Sequence, residues 1–86
     1  MSFYSIEFSK PALKQLSKLP QKMRQKVADE IGSLADDPRP ADCKKLSGED
    51  DLYRIRTGDY RVIYRIQDDV LIVLVIRIGH RKEAYR

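Results

Sequence analysis

The 86-residue chain predicts an α+β fold of order β-α-α-β-β-β, with a helical hairpin packed on one face of a four-stranded antiparallel sheet. Two observations lead there. Apolar and polar residues alternate with the period of a half-buried strand at the N-terminus and again beyond residue 51, whereas between residues 10 and 34 apolar residues recur at helical spacing. Short turn sequences rich in Gly and Asp separate the later strands.

Each element follows from its own residues. Phe3 to Phe8 places Tyr4, Ile6 and Phe8 on one side of a strand. Ser9 caps a first helix, Pro11 lies in its first turn where a missing N–H costs nothing, and Ala12, Leu13, Leu16 and Leu19 make the apolar stripe. Pro20 ends it. In the second helix Met23, Val27, Ile31 and Leu34 form the stripe, with Lys22, Arg24, Lys26, Asp29 and Glu30 outward, and Pro38 closes the segment.

From Asp36 to Asp51 the composition predicts a connecting loop. Strands are then expected at about 52–56, 60–66 and 70–78, joined by Thr57-Gly58-Asp59 and Gln67-Asp68-Asp69. The last is apolar at consecutive positions from Val70 to Ile76, which predicts a central strand covered on both faces. Counting one reversal per element makes the first and last strands antiparallel neighbours.

Size and composition limit the possibilities. A chain of 86 residues makes one small domain, spanning residues 1–86. Cys43 is the single cysteine and His80 the single histidine, so neither a disulfide nor a metal cluster of ordinary spacing is expected, and no cofactor is implied. There is no N-terminal apolar leader and no run long enough to span a bilayer, so a soluble cytoplasmic protein with no membrane partner is expected.

The net charge of +4 is unevenly placed. Residues 1–53 carry nine basic and nine acidic groups, whereas residues 54–86 carry eight basic and four acidic, so the second part accounts for all of the excess. Its bases are seven Arg and one Lys, against two Arg and seven Lys before it. Arginine on strands beside aromatics suits planar, bidentate contact with phosphate. Nucleic acid is therefore the expected partner class.

Alternation assigns the side chains to faces. Arg54, Arg56, Arg61 and Arg65 are expected on one face of the hairpin, and Tyr53, Ile55, Tyr60, Val62, Tyr64 and Ile66 on the other. Such a row can simply keep an open sheet face soluble, but like charges on adjacent strands repel, and little acid is placed to offset them. An anionic ligand would complete the surface. The terminal segment Gly79-His80-Arg81-Lys82-Glu83-Ala84-Tyr85-Arg86 is expected to reach the same site.

On RNA, such a surface suits attack of a 2′-hydroxyl on the adjacent phosphorus, which needs a proton acceptor, positive charge on the phosphorane oxygens and a proton donor for the leaving 5′-oxygen. Arginine, with a pKa above about 12, clamps substrate and stabilises charge and is a poor base. That role falls to Arg54, Arg56, Arg61 and Arg81. Tyr85 and His80 are the acid–base candidates, the phenol because neighbouring cations favour its anion and its ring can stack on a base, the imidazole because it titrates near neutrality. A single histidine beside arginines more often binds phosphate, so His80 is grouped with Arg65 and Lys82 as substrate-binding.

Lys45-Leu46-Ser47-Gly48, Leu52-Tyr53-Arg54-Ile55-Arg56, Gly58-Asp59-Tyr60-Arg61-Val62-Ile63-Tyr64 and Gly79-His80-Arg81-Lys82-Glu83-Ala84-Tyr85 together resemble the RelE family of bacterial toxins, within the RelE/ParE superfamily. The resemblance spans essentially the whole chain. It implies a RelE-like, microbial-ribonuclease-type fold and a type II toxin that cleaves mRNA in the A site of the 30S ribosomal subunit by 2′-hydroxyl attack. It also implies a RelB-like antitoxin that wraps the toxin and, with it, binds operator DNA to repress their operon. By position, the family's functional residues fall on Arg54, Arg56, Arg61, Arg81 and Tyr85, with Lys45 as a substrate contact.

Two departures bear on mechanism. Family members can carry Lys at the positions of Arg54 and Arg56, and arginine there moves the search for a base toward Tyr85. The sequence also ends at Arg86, without the C-terminal helix of some relatives. Two other functions fit the same scaffold: a ParE-like DNA gyrase inhibitor, and a noncatalytic RNA- or ribosome-binding module. The arginines and final tyrosine favour the nuclease.

Overall fold

Hydrophobic alternation and helical stripes place the elements largely where the sequence predicts them, and the computed structural model describes residues 3–46, 48 and 51–80. They are β1 (Ser5–Phe8), α1 (Lys10–Ser17), α2 (Gln21–Ser33), β2 (Lys44–Lys45), β3 (Leu52–Thr57), β4 (Tyr60–Gln67) and β5 (Ile72–His80). The sheet has five strands in the order β1-β5-β4-β3-β2.

Local chemistry explains the helix boundaries. The Ser9 hydroxyl accepts the Ala12 N–H at 3.1 Å, which satisfies one of the donors that α1 cannot pair internally. Pro11 occupies the first turn of α1, and Pro20 precedes α2. Ala12, Val27, Ile31 and Leu34 project from the helices into a core completed by Ile55, Val62, Tyr64, Ile66, Val73, Val75 and Ile78 from one face of the sheet. Among the described residues no helix lies over the opposite face.

Three expectations change. The loop after α2 contains a fifth strand, β2, too short to leave an alternation pattern. β1 pairs with β5 in parallel, with Ser5 opposite Ile72 and Phe8 opposite Val75. The reason lies in α1: Ser9 bonds Ile76 O and Gln15 bonds Ile78 N–H, so this short helix advances along β5 rather than turning back. Only α2 reverses direction, ending where the Ala35 carbonyl accepts the Phe3 and Tyr4 N–H groups.

The third change concerns β5. It is central, but Val73, Val75 and Ile78 are buried while Ile72, Leu74 and Ile76 are only partly covered, so one face alone is fully packed. Its apolar run also starts late. Val70 and Leu71 belong to the preceding turn, both exposed, with Leu71 at φ 56°. At the other turn Gly58 has φ +60°, a backbone conformation that favours glycine, and a Cβ there would lie 3.1 Å from the Met23 methyl, which would have to shift.

A polar network pins the long loop to the sheet. Arg39 donates to both Asp68 oxygens at 3.3 and 2.8 Å, and its Nε–H donates to the Tyr53 hydroxyl at 3.2 Å, with the guanidinium 5.2 Å from that ring's centre. Tyr4 donates its hydroxyl proton to Asp68 at 2.5 Å. Tyr64 stacks on Tyr53 at 6.0 Å and donates to the buried Pro38 carbonyl at 2.8 Å. Its burial pushes the Tyr64 phenol well above its ordinary pKa.

Two measurements test this network. Tyr64→Phe removes the partner of a buried carbonyl and is expected to cost about 1–3 kcal/mol in urea unfolding. Asp68 is held below the usual carboxylate value, first by Arg39 and then by Tyr4. A depressed carboxylate contributes stability above its unfolded pKa and loses it as pH falls through the folded value. Asp68→Asn is therefore expected to lower the urea midpoint at neutral pH and to flatten the acid limb of the midpoint–pH curve, below roughly pH 4.

Candidate nucleic-acid interface

Directly opposed residues of an antiparallel pair share a face, so the strand register decides which charges meet. Arg56 stands opposite Arg61, Arg54 opposite Ile63 and Leu52 opposite Arg65. The four hairpin arginines thus share the face turned away from the helices, while Tyr53, Ile55, Val62, Tyr64 and Ile66 lie in the core or packed against it. The core anchors the backbone beneath them.

The four differ in setting. Arg54 and Arg61 are 7% and 6% exposed, sunk against the sheet, and Arg56 is exposed at the end of β3. Burial restricts their rotamers and lowers the local dielectric, which strengthens any field they exert. Arg65 is different: its NH1 meets an Asp51 oxygen at 2.6 Å. That carboxylate offsets the charge at the far end of the row, where the sequence led to the expectation of little compensating acid.

Other residues change places. The β2 register sets Lys44 opposite Arg54 and Lys45 opposite Tyr53, so Lys44 joins the arginine side and Lys45, although exposed, does not. A loop reading offered no register from which to choose between them. On β5 Arg77 stands opposite Ile63 and adds a fifth arginine to the face. Sequence reasoning missed it because alternation from Val73 and Val75 assigns residue 77 to the core, although a lone arginine inside an apolar run is itself a sign that the phase shifts.

His80 pairs with Tyr60, edge to face at 5.6 Å between ring centres. Both rings line a cavity of about 370 Å³ with Gln15, Lys18, Leu19, Ile78 and Gly79, on the helix side of the sheet. The histidine therefore stands across the sheet from the arginines. Arg81, Lys82 and Tyr85 lie outside the described residues. Among the described residues no group of His, Cys, Asp or Glu is placed to hold a metal ion, and no helix is long and apolar enough to cross a membrane.

Arg56 and Arg61 make the chemistry of this face explicit. Their Cβ atoms are about 4.5–5.5 Å apart by strand geometry, and like charges so placed destabilise the sheet. An anion seated between them removes the repulsion and gains charge-assisted hydrogen bonds. The arrangement is suited to a phosphodiester.

The model of a family described as ParE toxin of the type II toxin–antitoxin system matches residues 6–85, which include the whole arginine face. The mRNA interferase toxin RelE of Escherichia coli K12 is 31% identical over 83 residues, covering 94% of this chain and 86% of that protein. This chain belongs to the RelE/ParE family of type II toxins.

Solved structures of RelE proteins agree with the fold. The archaeal RelE–RelB complex of Pyrococcus horikoshii contains a chain that superposes with a TM-score of 0.83 at 30% identity, covering 94% of this chain and 98% of that one. In the intact E. coli RelBE toxin–antitoxin complex the corresponding values are 0.79, 31%, 90% and 95%.

Neutralising one member of the opposed pair tests the tension in this RelE/ParE face. Arg56→Gln is expected to raise the stability of the free protein by roughly 0.2–1 kcal/mol in urea unfolding, more at low salt than at high.

Proposed function

We propose that this toxin is a metal-independent endoribonuclease that cuts mRNA in the A site of the 30S ribosomal subunit and so arrests translation. The observation behind this reading is the direct opposition of Arg56 and Arg61, flanked by Arg54, on a face anchored by the core. Named relatives include mRNA interferases, one of them the RelE of E. coli. The proposed site consists of Arg54, Arg56 and Arg61, joined by Arg81 and Tyr85, with Arg65 and Lys82 as supporting substrate contacts; Lys45 and His80, expected as contacts from the sequence, stand on the other side of the sheet.

The reaction uses a nucleophile already present in RNA. The 2′-oxygen attacks the adjacent phosphorus and gives up its proton, the P–O5′ bond breaks, and the departing 5′-oxygen takes a proton. A 2′,3′-cyclic phosphate and a 5′-hydroxyl result. Arginines neutralise the extra charge on the phosphorane, a role for which loss of one well-placed donor costs ~10²–10³ in rate. Tyr85 supplies the stacking surface and the candidate proton acceptor. The ribosome contributes by holding the codon in attack geometry, which replaces much of the orientation a deep pocket would provide.

The same reading assigns a cytoplasmic toxin whose partner is a RelB-like antitoxin, after the RelE–RelB complexes. The antitoxin covers the arginine face, and operator DNA is bound only through the toxin–antitoxin complex. A second reading has one specific support: the matching family model is that of ParE. It assigns inhibition of DNA gyrase in place of RNA cleavage.

Primer extension on a message translated by purified ribosomes separates them. Wild-type protein is expected to leave codon-positioned cuts, and Arg61→Ala or Tyr85→Phe to reduce them by ~10²-fold or more. Absence of cuts, with gyrase-dependent DNA breaks, assigns the ParE activity. Ribosome binding without either kind of break assigns a noncatalytic module.

A further inference from the structure

The direction of Arg77 depends on an irregularity in β5. Val73 and Val75 face the helices with 0% exposure, and unbroken alternation would put residue 77 beside them and residue 78 among the arginines. The reverse is found. Ile78 is 2% exposed in the core, and Arg77 is exposed on the open face. Between Ile63 and Tyr64 the register slips, so that Arg77 meets Ile63, Val75 meets Tyr64, and Ile76 is the extra residue. A bulge of this kind re-aims the side chains that follow it, and bulges are enriched beside active sites.

The first helix holds this bulge in place. Ser9 donates its hydroxyl proton to Ile76 O at 2.8 Å and its N–H to Val75 O at 2.9 Å, while the Ile78 N–H donates to Gln15 Oε1 at 2.7 Å. Backbone groups at and beside the bulge are thereby satisfied by α1. Three such bonds distinguish a built feature from a tolerated defect.

The surroundings of Arg77 suit an anionic ligand. β1 stops at Phe8, opposite Val75, so among the described residues no strand flanks Arg77 on that side. On the other side Arg61 is its diagonal neighbour, roughly 7–8 Å away across the sheet and within reach of long side chains. Gly79, directly opposite Arg61, adds no side chain between them. Glu7, the acid that β1 brings to this face, stands further down, opposite Leu74.

We infer that Arg77 is a further substrate-clamping residue, gripping the phosphodiester next to the one held by Arg56 and Arg61, and that the bulge in β5 serves to present it. This rests on reading the arginine face as the RNA site. Arg77 steers and holds RNA rather than the reacting atoms, so its loss acts on affinity more than on the rate of cleavage once bound.

The test compares wild type, Arg77→Ala and Arg77→Lys on ribosomes programmed with mRNA, reading equilibrium binding against salt and single-turnover cleavage against toxin concentration. Arg77→Ala is expected to bind about tenfold more weakly, with the slope of log affinity against log salt reduced by about one. Its half-saturating concentration rises while cleavage at saturation stays within about twofold of wild type. Arg77→Lys keeps the salt slope, because the charge remains, and loses part of the affinity with the guanidinium fork. Wild-type affinity and slope in Arg77→Ala overturn the inference, as does weaker binding at an unchanged slope, the mark of a merely structural effect. Wild type that binds without cutting overturns the nuclease reading alone, since the salt slopes still decide on Arg77.

Discussion

Two arginines on neighbouring strands are held opposite each other, because the backbone that carries them is fastened from behind. Arg56 and Arg61 are paired across β3 and β4, and the intervening side chains, Ile55 and Val62, are buried in the core. Moving either attachment point away from the other requires breaking ladder bonds or pulling an apolar residue into water. The hydrophobic face therefore fixes the spacing at which the polar face presents its charges. A ligand that fits this spacing binds without first having to organise the backbone of the site.

Period and capping made most of the elements readable. Ser9, Pro11 and Pro20 mark the ends of α1, and the stripe from Val27 to Leu34 identifies α2, because these signals act within a few residues of one another. The arginine face was readable for the same reason: two-residue alternation in β3 and β4 is unbroken. Sequence alone does not record how far an element travels through space. The parallel pairing of β1 with β5 came from a helix that advances where a reversal was expected, a matter of two hydrogen bonds from Ser9 and Gln15 to distant residues.

The site shows the same division. Lys44 and Lys45 differ by a single register step that no local pattern encodes. Asp51 reached Arg65 from a loop whose path could not be predicted, and His80 was separated from the arginines by strand parity rather than by distance along the chain. Arg77 was hidden by a bulge, which breaks the very rule used to assign faces. In each case a long-range contact overrode a local regularity, and the polar residues, which tolerate either face at a sheet edge, were the ones misplaced.

The place of β5 in the sheet has a consequence for the newborn chain. Among the described strands it is the last in chain order and yet lies between β1 and β4, so β1 gains its neighbour in the sheet only after the other strands have been made. Contacts between such remote segments form late and all together. The two sides of the sheet, β1 on one and β4, β3 and β2 on the other, therefore stay apart until β5 joins them.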